Sequence, residues 1–115
     1  MIRTLNVAEN NLYADAATPV TVPAATATDV LPDEVGKVTG EIAYRYIQNV
    51  GVNPLYYAIG QTCSTVNYNG ILAPDVTNGQ GGQLDCSNHR MRISVYSVGG
   101  TTVAKTIIRR NNGRS

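Results

Sequence analysis

Hydrophobic and polar positions alternate with a period of two over residues 41–48, 55–59, 90–98 and 101–109, and no stretch shows the period of a helix. Residues 41–48 (EIAYRYIQ) place Ile42, Tyr44 and Tyr46 on one face and Ala43, Arg45 and Ile47 on the other, the signature of a strand. Residues 49–54 (NVGVNP) carry the breakers. A second strand follows over 55–59, with Leu55, Tyr57 and Ile59 on one face and Gly60 as its end. Adjacent strand residues point opposite ways, so Tyr56 and Tyr57 cannot share a face. Residues 66–72 read as a short strand or as a hairpin corner at Asn69-Gly70. Residues 77–83 (TNGQGGQ) hold no apolar side chain and read as a mobile surface loop.

The clearest pattern is the last. Runs at 90–98 and 101–109 flank Gly99-Gly100, which predicts a hairpin with a two-residue turn. That register sets Val95 opposite Ala104, Ile93 opposite Thr106 and Met91 opposite Ile108. One face then carries Met91, Ile93, Val95, Ala104, Thr106 and Ile108 and is the expected core face. The other carries Arg92, Ser94, Tyr96, Val103, Lys105 and Ile107. Its mixture of aromatic, aliphatic and charged groups suits a contact surface, although stray apolar groups on a solvent face are also common.

Residues 1–38 differ in character. β-prone pieces at 2–7, 19–23 and 27–31 are interrupted by Pro19, Pro23 and Pro32, and proline cannot donate to a sheet ladder. This segment reads as an extended N-terminal arm or a set of edge strands, residues 39–110 as a β-sandwich core and 111–115 as a flexible tail. About seven or eight short strands with many turns fit an all-β sandwich.

Composition sharpens this picture. The chain has 115 residues, enough for one domain with its own core. It has no Phe or Trp and seven Tyr, with 11 Gly and five Pro; β-branched residues and Tyr suit a pleated, half-buried surface. The net charge is +1 and 15% of residues are charged, which argues against nucleic acid or anionic membrane as a partner. No apolar run reaches the roughly 20 residues of a membrane span, and the first residues lack a signal peptide's apolar stretch. Synthesis in the cytoplasm is therefore expected, with Cys63 and Cys86 as thiols by default.

Candidate chemistry is sparse. Cys63, Cys86 and His89 are the soft metal ligands, one short of a tetrahedral zinc set unless Asp85 joins. A Cys63–Cys86 disulfide would close roughly 24 residues and stabilise by about 3 kcal/mol in the chain-entropy account. A Cys–His pair would need a positioned base and an oxyanion pocket. No nucleophile-elbow, zinc-protease, phosphate-loop or dinucleotide motif occurs. Asp29, Asp33 and Glu34 form the densest acidic group, with Pro32 among them, and read as a solvated turn rather than a calcium loop. The expectation is a non-enzyme with no cofactor and no metal. Its contact candidates are Tyr56, Tyr96, Val103, Lys105 and Ile107. A platform drawn from Tyr44, Tyr46, Tyr56, Tyr57 and Tyr68 could serve protein contact or glycan binding; Tyr gives large contact area at low entropy cost.

The segments QNVGVNPLYYAIG, YNGILAPD, GGQLD and RISVYSVGGTTVAKTIIRR resemble the small cement, decoration or head-fibre proteins of tailed bacteriophages. The resemblance covers residues 40–110 and is one of pattern and composition. It implies a jelly-roll-like sandwich on the virion, made in the host cytoplasm. It also implies a major capsid or other virion protein as partner, with homo-oligomer formation. The alternative it leaves open is a receptor- or glycan-binding module of a fibre or tail.

Overall fold

The computed structural model describes residues 12–14, 18–34, 42–77, 79–88 and 90–110. Among these the chain is all-β, with no helix and nine strands. They are β1 (Leu12–Ala14), β2 (Thr18–Val22), β3 (Thr28–Leu31), β4 (Ile42–Asn49), β5 (Leu55–Ile59), β6 (Gly70–Leu72), β7 (Gln83–Asp85), β8 (Ile93–Tyr96) and β9 (Thr101–Arg110). One sheet runs β1-β9-β4-β7, with β2 also paired along β9, and the other runs β3-β8-β5-β6. The pairings nest: β2 with β9, β3 with β8, β4 with β7 and β5 with β6, all antiparallel. The chain is thus one long ribbon doubled back on itself, and β4–β9 and β5–β8 contacts wrap it into two layers.

The layers close over a single core that includes Val22, Val30, Leu31, Ile47, Leu55, Leu72, Cys86, Ile93, Val95, Val103 and Ile107. The alternation in β4 is resolved by the Arg45–Ile47 parity: Arg45, Ile47 and Asn49 point inward, while Tyr44 is exposed.

The predicted hairpin at Gly99-Gly100 does not form. Val95 lies opposite Thr28 and Tyr57, and Ala104 opposite Pro19 and Gln48. β8 and β9 belong to different sheets, so the two glycines make a corner between layers. Gly100 adopts φ 84°, a conformation that glycine reaches without steric penalty. The Asn53 side-chain amide donates to its carbonyl at 2.7 Å. In a hairpin the two strands share a sheet face; across a corner they face each other. The inward row of β9 is therefore Thr101, Val103 and Ile107, and not Ala104, Thr106 and Ile108. Ile93 and Val95 are core, as expected.

The boundary expected at 38/39 lies outside the described residues; of the two readings of the segment before it, arm or edge strands, the described part forms edge strands of the two sheets. β2 and β3 are woven into opposite sheets, and Val22, Val30 and Leu31 are almost fully buried. Pro19 sits on β2, which pairs only with β9 among the described residues, the edge position proline tolerates. A bulge between Asp29 and Leu31 turns both Val30 and Leu31 inward. The strand expected at 2–7 and the tail at 111–115 lie outside the described residues.

Two buried polar side chains hold opposite ends of the sandwich. Asn49 donates from Nδ2 to Asn53 O (2.8 Å) and Leu72 O (3.2 Å), and its Oδ1 accepts from Gly51 N (3.1 Å) and Thr101 Oγ1 (2.8 Å). Arg45 donates from Nη1 to Pro32 O at 2.8 Å and from Nη2 to Met91 O. Burial lowers the Arg45 pKa from its ordinary value, against the raising influence of Cys86 and Glu34.

Candidate binding face

The outer face of the β3-β8-β5-β6 sheet gathers a group of partly exposed tyrosines. Leu55 and Tyr57 pack into the core, so the pleat sends Tyr56 outward. Tyr56 is paired with Ile71 on β6 and Tyr96 on β8, and residues directly opposite on antiparallel strands share a face. The result is a row, Ile71–Tyr56–Tyr96, across three strands. Ile71 is 49% exposed, and Tyr56 and Tyr96 are half-buried. Tyr68 meets Tyr56 edge to face, with ring centroids 4.9 Å apart at 77°, a favoured aromatic geometry.

The next row along the same face, Ala58 and Ser94, is fully buried. The connection between β5 and β6 covers it. Cys63 N donates to Ser94 Oγ at 3.0 Å. The connection is tied internally through Ser64, whose Oγ accepts from Val66 N and Asn67 N, and through Asn67, which donates to Thr62 O. Asn69 Oδ1 accepts from Ile59 N at 2.8 Å and so fastens the end of the connection to β5.

On its other side the tyrosine row opens into a groove of about 320 Å³ lined by Asn53, Pro54, Tyr56, Val98 and Gly99. No charged side chain lines it. Val98 and Val52 stand exposed nearby, at 62% and 74%. Beyond the buried row, Arg92 pairs with Asp29 at 2.9 Å and donates to Thr62 Oγ1. An apolar aromatic centre with polar groups at its margin is the anatomy of a contact patch.

Of the five contact candidates, the structure brings Tyr56 and Tyr96 together and separates the other three. Val103 is fully buried and Ile107 nearly so, both within the core. Lys105 lies on the opposite sheet, paired with Ile47 and Thr18. All three were grouped with Tyr96 by the hairpin register, and the corner at Gly99-Gly100 reverses that grouping. Tyr68, one of the platform tyrosines of the sequence, joins the site, and Ile71, Pro54 and Val98 join it without having stood out there. Their placement depends on cross-strand register, which no local pattern encodes.

The disulfide does not form: Cys63 and Cys86 are free, buried thiols. Cys86 belongs to the core between the sheets, whereas Cys63 sits against Ser94 on the outer face of the second sheet. A sheet layer therefore stands between them. Burial pushes both thiols up to about 11, so at neutral pH they are protonated and poor nucleophiles. The same separation keeps them from sharing a metal ion; His89 lies outside the described residues. Among the described residues no three His, Cys, Asp or Glu side chains gather into a potential metal site, and no helix is long and apolar enough to cross a membrane.

The loop at 77–83 is tethered at several points. Asp75 carboxylate oxygens accept from Gly79 N (3.2 Å) and Gln80 N (3.1 Å), and Gln48 Nε2 donates to Gly81 O (3.1 Å). A Cβ on Gly81 would run into the Asn49 carbonyl, so glycine there permits close backbone approach.

Comparison of the chain with protein-family models, with curated proteins and with solved structures returns no match.

Proposed function

We infer that this chain is a non-enzymatic structural protein of a virion surface, which binds a capsid or other virion protein through the Ile71–Tyr56–Tyr96 face. The observation that carries the binding role is that row itself: three large side chains in register on an exposed sheet face, with Tyr68 packed against them. Exposed aromatic clusters next to a groove are where interface energy concentrates. The virion assignment rests on the resemblance of residues 40–110 to small phage decoration proteins. The nested ribbon of strands supports the jelly-roll arrangement implied by that resemblance, since jelly rolls are antiparallel double sheets with Greek-key connections.

The test is addition of the purified chain to phage heads that lack it, followed by co-sedimentation. The parent chain is expected to bind. Tyr56→Ser combined with Ile71→Ser is expected to weaken binding about tenfold or more, as loss of interface hot spots does, in a variant that still unfolds cooperatively well above the assay temperature. Full binding by that variant would remove the face from the interface; no binding by the parent would remove the capsid role.

A second reading, glycan binding, is favoured by one feature: the groove beside Tyr56 is open, with Asn53 at its wall. Retention on a glycan array, lost in Tyr56→Ser, would select that reading over the first.

A further inference from the structure

We propose that Asn69-Gly70 is a spontaneous modification site, at which Asn69 deamidates through a cyclic imide while the chain stays folded. The sequence holds three Asn-Gly pairs, at 69–70, 78–79 and 112–113. A glycine after Asn lets the following backbone nitrogen approach the side-chain amide with the least hindrance, because no Cβ stands in the way. At residues 69–70 the fold adds to this general tendency. Glycine at 70 lies under the Tyr57 ring, whose tip and hydroxyl would have to shift to admit a Cβ there. Asn69 is exposed, so water reaches its amide and ammonia can leave. Most informative is the partner of Oδ1, which accepts the Ile59 amide hydrogen at 2.8 Å.

The chemistry balances with water alone. The Gly70 nitrogen gives its proton to a solvent base and attacks Cγ of Asn69. Negative charge develops on Oδ1, the atom at which the Ile59 N–H already points, so that donor stabilises the tetrahedral intermediate as an oxyanion donor does. The Cγ–Nδ2 bond then breaks, and ammonia leaves carrying a proton from solvent. Water adds to either carbonyl of the resulting five-membered imide, opening it to aspartate or isoaspartate. No oxidant, reductant or cofactor takes part.

Either product adds one negative charge to a chain whose formal net charge is +1, giving +1 − 1 = 0. Aspartate keeps an oxygen for the Ile59 N–H. Isoaspartate lengthens the main chain by one methylene immediately before β6, at a residue whose own N–H donates to Tyr57 O at 2.7 Å. That product would loosen the connection holding Tyr68 against Tyr56. An effect on binding rests on the function proposed above; the modification does not, and its readout is separate from binding.

The experiment is incubation of the purified full chain at mildly alkaline pH, folded and in parallel unfolded in urea. Peptide fragmentation by mass spectrometry assigns the converted asparagine, and an isoaspartate assay gives the product ratio. Asn69 is expected to convert in the folded chain at least as fast as in the unfolded one. Asn69→Gln, which requires a larger ring, is expected to abolish conversion at that position. Conversion of Asn69 several-fold slower in the folded than in the unfolded chain would overturn the proposal, because the fold would then restrain the attack. Fragmentation of the parent chain keeps that comparison valid whether or not the variant folds.

Discussion

Ile93 and Lys105 illustrate how much a single position depends on how deeply it is buried. Ile93 is fully buried, opposite Ile59 and Leu31. Truncation to alanine removes buried methylenes and leaves a cavity, so Ile93→Ala is expected to destabilise by about 2–5 kcal/mol. Lys105→Ala, at a half-buried site, is expected to cost less than about 1 kcal/mol. Chemical denaturation of the two variants checks the ordering. Asn49 presents a sharper case. It uses both side-chain donors and its acceptor oxygen inside the core. Asn49→Asp keeps the acceptors but turns the donors toward Asn53 O and Leu72 O into a buried carboxylate oxygen. A loss of at least about 2 kcal/mol at neutral pH is expected. Part of it should return in acid, where a protonated carboxyl regains one donor. Melting temperature against pH, for parent and variant, reads this directly.

The thiols give a pH dependence of known sign. Burial raises Cys63 and Cys86 from 9.0 to about 11. A raised folded pKa means that stabilisation is complete below the unfolded value and is lost as pH climbs toward the folded value. Stability should therefore fall between about pH 9 and pH 11, by on the order of 2–3 kcal/mol per thiol. Replacing both cysteines with alanine should flatten that decline relative to the parent, whatever the change at neutral pH. A decline of equal size in the double variant would assign it to other groups.

At the scale of elements, the corner between β8 and β9 is the decisive piece. Two glycines between alternating runs signal a tight reversal, but the signal is silent on whether the flanking strands pair or part. Here tertiary contacts set the outcome. The Asn53 amide holds the Gly100 carbonyl. A Cβ at 100 would come within 3.1 Å of Ala24 N and 3.2 Å of Val22 O. Gly100→Ala combines that crowding with a positive φ, so it is expected to destabilise by about 1–3 kcal/mol. The same substitution at Gly79, also at positive φ but with open space around it, should cost only the conformational part. Equal losses at the two sites, measured by urea unfolding, would show that packing at the corner is unimportant.

For the molecule as a whole, the nested pairing makes early residues as essential as late ones. β2 lies along β9, and β3 along β8, each pairing residues from near the two ends of the chain. A chain beginning at Lys37 would lack both strands and expose Val103, Ile93 and Val95, which face Val20, Leu31 and Thr28. It is expected to be molten or insoluble, without cooperative unfolding. A folded, monomeric product from Lys37 onward would show that β2 and β3 are accessory.

Period-two alternation, the absence of any helical stripe, and the supply of Val, Ile, Tyr and Gly determined an all-β domain, because side-chain direction along a strand is a purely local property. Locally readable too were β4, β5 and the burial of Ile93 and Val95, and the opposed facing of Tyr56 and Tyr57. Tertiary structure alone decided which strands pair, and with that which parity faces inward. Val103 and Ile107 became core, Lys105 went to the other sheet, and Ile71 and Tyr68 came to stand beside Tyr56. It also decided that Arg45 and Asn49 could be buried, because each needed carbonyl partners from distant segments. The physical reason is one of range. Alternation is set within a few residues, while register and layer assignment depend on contacts between residues as far apart as Thr18 and Lys105, and a single corner in place of a hairpin exchanges inside for outside along a whole strand.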